Sequence, residues 1–250
     1  MLKNYFLIAL RNLFRNKLFS AVNILGLAIG LACCFIILLH IRSELSYDRF
    51  HEKADDIYRL ALHRYYPDTQ VDYALSPHSM GALLLQEMPE IKSSCRLFKG
   101  QGEVTYTYED QTFTERHVVL ADSNFFDMFS IRLLSGNPGE VLRNPLELIL
   151  TETTAKRYFG DEDPLGKTIT SPFGELQVVG VCEDVPSNSH FYFDFLAALN
   201  GAGFIQQPSY VTFSVYTYLE IENNAHARQV EAKIPEVLEL YAAGDIMARM

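Results

Sequence analysis

From Leu18 to Leu39 the chain reads LFSAVNILGLAIGLACCFIILL, 22 residues without a charge. At about 1.5 Å per residue, such a run crosses a hydrocarbon core of roughly 30 Å. Ser20 and Asn23 are its only strongly polar members, and a helix carries both because its backbone is satisfied internally. A cleaved secretory signal has an apolar region of about 7–15 residues. This run is longer, and Phe35-Ile-Ile-Leu-Leu39 continues past any workable cut. Residues 18–41 therefore read as a retained transmembrane helix.

The flanks set its direction. Residues 1–18 hold Lys3, Arg11, Arg15 and Lys17 and no acid, a charge of +4. The trailing side, IRSELSYDRFHEK, mixes Arg42, Arg49 and Lys53 with Glu44, Asp48 and Glu52. An excess of Lys and Arg marks the cytoplasmic side. The expectation is a single-pass protein of the cell (inner) membrane, with its N-terminus cytoplasmic and most of the chain outside. Leu31-Ala-Cys-Cys34 has the outline of a lipoprotein cleavage box, but a mature lipoprotein would not begin with more membrane helix. Residues 1–17 read as a basic amphipathic interfacial helix. Tyr5, Phe6, Ala9, Leu10, Leu13 and Phe14 fall on one side and Asn4, Arg11, Asn12, Arg15 and Asn16 on the other, a pattern that seats a helix against anionic head groups. Gly26 and Gly30 form a G-x-x-x-G pair, a candidate face for helix packing.

Residues 42–58 read as a stalk and 59–250 as one extracytoplasmic core domain, with room for two subdomains. The net charge of −10 leaves −14 on the chain after residue 18, which argues against nucleic acid as a partner; membrane lipid is the partner the N-terminus implies. The pattern predicts mixed α and β. Strands are expected at 57–65, 96–98, 103–108, 113–120, 146–150, 175–181, 192–199 and 210–220. Helices are expected at 77–88, capped by Ser76, at 123–128, from a Thr151 cap to Gly160, and at 225–241 with Pro235 inside. Val230, Ile234, Val237 and Leu238 are spaced as a buried stripe. Cys95 and Cys182 could pair outside the cytoplasm; two buried free thiols are the favoured reading.

Gly160 and Gly166-Lys167-Thr168 raise the question of a phosphate-binding loop. That motif needs four residues between its glycines and sits between a strand and a helix. Here five residues intervene, a helix precedes and a strand follows, and Asp161, Glu162 and Asp163 would repel phosphate. The stretch reads as a turn, with no cofactor. None of the seven histidines has metal-ligand spacing to Cys or to another His. Ser187 and Ser189 beside His190 invite a nucleophile reading, but a loop is simpler. No enzyme signature emerges.

Ala155-Lys-Arg-Tyr-Phe-Gly-Asp-Glu-Asp-Pro-Leu-Gly-Lys-Thr-Ile169, then Val178-Val-Gly-Val181 and Asp184-Val-Pro-Ser-Asn-Ser-His190, resembles the extracytoplasmic core of MacB/FtsX-like ABC-transporter permeases. NLFRNKLFSAVNILGLAIGLA is similar to that family's first membrane helix, and Glu44-Leu-Ser-Tyr-Asp-Arg-Phe-His-Glu-Lys53 with Ile57-Tyr-Arg59 to its exit from the membrane. The resemblance implies an α+β fold of the MacB-like periplasmic core type. It gives Tyr47, Asp48, Phe50, Tyr58, Arg59, Phe159, Gly160, Pro164, Gly166, Gly180, Pro186 and Ser189 structural roles, with no catalytic, metal-binding or cofactor-binding residue.

It further implies a permease subunit served by a separate cytoplasmic ATPase, a second permease chain, or both, whose outer domain transmits ATP-driven movement to an exported substrate or partner. The family carries three more membrane helices after this domain, and no apolar run of that length follows Leu39. The chain is thus expected to be a fragment of a longer permease or a separate short product. The rival is an autonomous membrane-anchored binding or adaptor module. An anchored envelope enzyme ranks third.

Overall fold

The computed structural model describes residues 2–65 and 68–248. The chain divides into two compact units, 1–47 and 48–250. In the first, α1 spans Leu2–Arg15 and α2 spans Lys17–Leu45. Asn16 separates them, because its backbone (φ −112°, ψ 59°) leaves the helical region. The 29 residues of α2 extend about 43 Å, and α2 is long and apolar enough to cross a membrane. No side chain along it is buried, as suits a helix solvated by lipid rather than protein.

The second unit opens with turns over residues 48–56. Next come β1 (Ile57–Arg59), β2 (Leu62–Tyr65), β3 (Gln70–Tyr73), β4 (Ser76–Pro77), α3 (Met80–Glu87), β5 (Ile91–Lys99), β6 (Val104–Tyr108), β7 (Gln111–Glu115), β8 (Val118–Ala121), α4 (Phe125–Met128) and β9 (Leu133–Ser135). The rest is β10 (Glu147–Thr151), α5 (Glu152–Phe159), β11 (Thr168–Ser171), β12 (Gly174–Cys182), β13 (Phe195–Ala198), two short 3₁₀ turns, β14 (Phe213–Ile221) and α6 (Asn224–Ala248). One large mixed sheet runs β1-β14-β5-β8-β13-β10-β12-β11-β6-β7, with β4 on β14 and β9 on β12; β2 and β3 form a separate hairpin. Pairs β8–β13 and β10–β12 are parallel and the others antiparallel.

The centre of the sheet is buried on both faces. On β10 and β13, Ile149, Leu196 and Ala198 face one core with Phe125, Phe129 and Phe193. Leu148, Leu150, Phe195 and Ala197 face the other, under Tyr158 and Phe159 of α5. This explains why 146–150 reads as a continuous apolar run: a strand covered on both sides does not alternate. A third cluster joins α3, β14 and Val230 of α6, with Ile234, Val237 and Leu238 packed beside it.

Several expectations need correction. Residues 57–65 are two strands, because the chain leaves β14 after Arg59 and turns into the hairpin. Residues 113–120 break at Arg116–His117, where the chain passes from the β6–β7 hairpin to β8 beside β5. Ser76 does not cap a helix: its hydroxyl donates to Thr217 Oγ1 at 2.7 Å and Ser76–Pro77 pairs with β14, so α3 starts at Met80. Helix α2 continues to Leu45, and residues 48–56 are folded into the second unit, with His51 5% exposed.

Candidate functional site

Two stretches that the sequence resemblance singled out separately, 44–53 and 184–190, meet in the fold. Asp48 lies three residues beyond the end of α2 and holds φ 57°, a left-handed conformation that Asp tolerates better than most residues. That conformation turns its N–H onto Asn188 O at 2.9 Å. Its carboxylate takes two donors from one residue: the His190 backbone N–H at 3.0 Å and His190 Nδ1 at 2.9 Å. With Nδ1–H on the carboxylate, Nε2 accepts the Tyr218 hydroxyl at 2.6 Å. Tyr218 is 4% exposed on β14, and Arg59 of β1, its register partner, also hydrogen-bonds it. Burial pushes the Tyr218 hydroxyl well above the usual phenol range, so it stays a donor. The chain Asp48–His190–Tyr218–Arg59 thus ties the first residues of the second unit to a loop and to the two strands at one end of the large sheet.

His51 completes this corner. Its backbone N–H returns to Asp48 O at 3.3 Å, and its Nδ1 accepts the Ser130 N–H at 3.1 Å. The neighbouring Glu52 N–H donates to Ser130 Oγ at 2.8 Å. Phe50, Phe129 and Phe191 surround the imidazole with ring centres 4.0, 5.3 and 5.9 Å away. Burial lowers its pKa, and His190 adds to that, against the opposing pull of Asp48. Lys53 then binds Asp127 O and Glu220, both at 3.0 Å.

The loop after α5 does a different job. Gly160 closes the helix, its N–H on Lys156 O at 2.9 Å. The Lys167 N–H meets Pro164 O at 3.2 Å, and Gly166, at φ 77°, directs its N–H to Val178 O at 2.8 Å. Lys167 Nζ donates to the Tyr108 hydroxyl at 3.1 Å, ion-pairs with Glu162, and sits 5.2 Å from the Phe159 ring centre. The lysine that a phosphate would need is already engaged by protein, and α5 precedes the loop while β11 follows it. The start of α5 is served from afar: Thr153 donates its N–H to Asp184 Oδ1 at 3.1 Å. Nearby, Glu115 is 2% exposed and accepts two bonds from Arg157 and one from the Tyr158 hydroxyl.

The remaining motif residues are placed as follows. Gly180 lies on β12, where a Cβ would stand 3.1 Å from both Leu133 Cδ1 and Ser135 O. Pro186 O receives the Ser189 N–H at 3.1 Å, and buried Ser189 offers Oγ to the Phe191 N–H at 3.4 Å. His190 is held by Asp48 and Tyr218, so a serine–histidine pairing in this loop is not what the geometry builds. Tyr58 pairs with Leu219 and joins the third core cluster. Tyr47, half-exposed, closes the first unit with its N–H on Glu44 O. Among the described residues, no heavy atom lies within 4 Å of where a Cβ on Gly26 or Gly30 would be. Cys95 and Cys182 are buried free thiols in one core cluster, and burial raises the Cys182 pKa to about 12. Asn188 and His51 were visible only as members of the 184–190 and 44–53 motifs, and Tyr218 carried no signal.

Among the described residues no group of three or more His, Cys, Asp or Glu side chains is placed to hold a metal ion. A cavity of about 340 Å³ lies beside the corner, lined in part by Glu52, Lys53, Asp127 and Arg132. Its cations are already paired, Lys53 with Glu220 and Arg132 with Glu183.

No curated protein sequence matches the chain. A domain of a protein assigned as a permease, from Porphyromonas gingivalis, shares the fold at a TM-score of 0.69 and 20% identity, over 77% of this chain and 84% of that one. The periplasmic region of MacB from Actinobacillus actinomycetemcomitans aligns at a TM-score of 0.49 and 17% identity, over 67% of this chain and 73% of that one. The MacB-like periplasmic core domain matches residues 20–237, so the chain belongs to that family, the periplasmic domains of MacB/FtsX-like ABC-transporter permeases.

Proposed function

We propose that the chain is a permease subunit, or part of one, whose outer domain carries movement from an ATP-driven partner to an exported substrate or partner protein. The observation that supports this most is the Asp48–His190–Tyr218 tie. It anchors the polypeptide to the sheet three residues after the apolar helix ends, too short a span to absorb displacement in slack chain. In this reading α2 spans the inner membrane, the N-terminus is cytoplasmic as the basic flank dictates, and α1 lies at the lipid interface. The domain boundaries are those of α1, α2 and a core domain from Asp48 onward. Gly26 and Gly30 offer a face to a second permease helix, the ATPase is a separate cytoplasmic chain, and the protein itself catalyses nothing.

Isolation of the full chain from native membranes in mild detergent tests the reading. The expected result is a co-purifying ABC-type ATPase whose hydrolysis rate changes when Asp48→Ala is introduced. A chain that is isolated repeatedly without an ATPase would instead support an autonomous membrane-anchored adaptor.

A further inference from the structure

We infer that the 48–53 turn is an acid-released latch, with His51 as its proton-sensitive member. The inference deepens the proposed coupling role and rests on it for its purpose, but its geometry stands alone. His51 is 5% exposed. Its Nδ1 accepts the Ser130 N–H, so the neutral ring carries its proton on Nε2, and that buried atom has no partner among the described residues.

Protonation therefore meets three obstacles at once. A proton on Nδ1 abolishes the acceptor and turns two N–H groups against each other. A full charge would sit in a box of Phe50, Phe129 and Phe191. The second N–H still finds no acceptor. A histidine in this position leaves its seat when it takes a proton. Its departure removes the support for the Glu52–Ser130 bond one residue away.

The surrounding charges do not reverse this. Asp48, on the same turn, favours the charged ring and His190, from the 184–190 loop, opposes it. Asp48 is already committed to His190 at 2.9 Å. Phe129 and Ser130 bring no charge, and from β14 Glu220 is occupied by Lys53. Tyr218 stays neutral, since burial raises its pKa. Acid thus acts on this corner by ejecting His51.

The sign follows from the direction of the shift. The unfolded chain takes up this proton near the ordinary imidazole value of 6.5, and the folded chain only at lower pH. The seated state therefore loses stability as pH falls below about 6.5.

Deuterium exchange of the full chain in detergent micelles reads this directly, compared between about pH 7.5 and about pH 5 after correction for intrinsic amide rates. The expected result is at least a tenfold loss of protection at the Glu52 and Ser130 amides at the lower pH, with β10 and β13 unchanged. His51→Asn, whose side-chain oxygen can accept the Ser130 N–H and does not titrate, should flatten the profile. Protection that is independent of pH in the parent chain, or a loss that survives in His51→Asn, overturns the proposal. If that variant does not fold, the imidazole resonances of the parent chain decide. His51 must titrate in step with exposure of the Ser130 amide, and titration without that exposure is a refutation. None of these readouts involves an ATPase, so failure of the transporter assignment and failure of the latch are separately visible.

Discussion

The Asp48–His190 contact can be tested by a double-mutant cycle. In Asp48→Ala the two donors of His190 lose their carboxylate. Hydrogen bonds to a charged group contribute about 1.5–3 kcal/mol each when shielded, but the two side chains are 32% and 26% exposed, so water recovers a share and the pair together contributes about 2 kcal/mol. Alanine at φ 57° adds about 1 kcal/mol of backbone strain. The expected loss is about 3 kcal/mol. For a unit of about 200 residues this lowers Tm by roughly 6–12 °C. Asp48→Asn keeps an acceptor and tolerates the left-handed backbone, and should lose only about 1 kcal/mol. His190→Ala removes the acceptor of the Tyr218 hydroxyl and the Nδ1 donor to Asp48, while the backbone N–H of residue 190 still reaches the carboxylate. Because the two residues share one contact, the double variant should fall short of the sum of the singles by about 1 kcal/mol or more. Thermal melting of the full chain in detergent supplies all four corners. Strict additivity, to within about 0.5 kcal/mol, would refute the tie as described.

Other substitutions probe other links. Lys167→Ala should leave ATP undetected by titration calorimetry, as in the parent chain; a micromolar affinity lost in this variant would restore the phosphate-loop reading. Glu115→Ala strands the Tyr158 hydroxyl and part of the Arg157 charge and should cost about 2–4 kcal/mol in urea melts, the lower end applying because Arg157 is 45% exposed. Gly180→Ala pushes a methyl against Leu133 and Ser135 and should cost about 1–3 kcal/mol. A thiol at exposed Gln101 (Gln101→Cys) should react with an impermeant maleimide on cells stripped of their outer barrier; labelling only after lysis would reverse the assigned orientation.

Much of this architecture was readable from local pattern. The absence of charge from 18 to 39 specifies α2, and a glycine after Tyr158-Phe159 ends α5 where expected. The stripe of Val230, Ile234, Val237 and Leu238 does pack on the third cluster. What local pattern misses is decided by partners far along the chain. Ser76 looks like a cap until Thr217, 141 residues away, takes its hydroxyl. Thr151 looks like the cap of α5, yet the first-turn N–H of Thr153 goes to Asp184. The candidate site was half legible: the motif at 44–53 and the motif at 184–190 were each visible, but their union at Asp48 and His190 spans 142 residues. Spacing shows nothing of such a contact. Tyr218 was hidden for another reason. In a strand of aromatic and β-branched residues, one buried hydroxyl with a task looks like its neighbours.

The pairing of β1 with β14 has a mechanical consequence. The strands are antiparallel with Ile57 opposite Glu220, so the beginning of one lies beside the end of the other. The same margin is stitched by Ile221 N–H to Asp56 O at 2.8 Å and by Lys53 to Glu220. Load that separates residues 53–57 from 220–223 would open these bonds one after another, as a zipper opens, which takes little force. Load that moves both segments together stretches none of them and is passed whole to the sheet. This margin therefore yields readily when residues 53–57 and 220–223 are pulled apart and stays unstrained when they travel together.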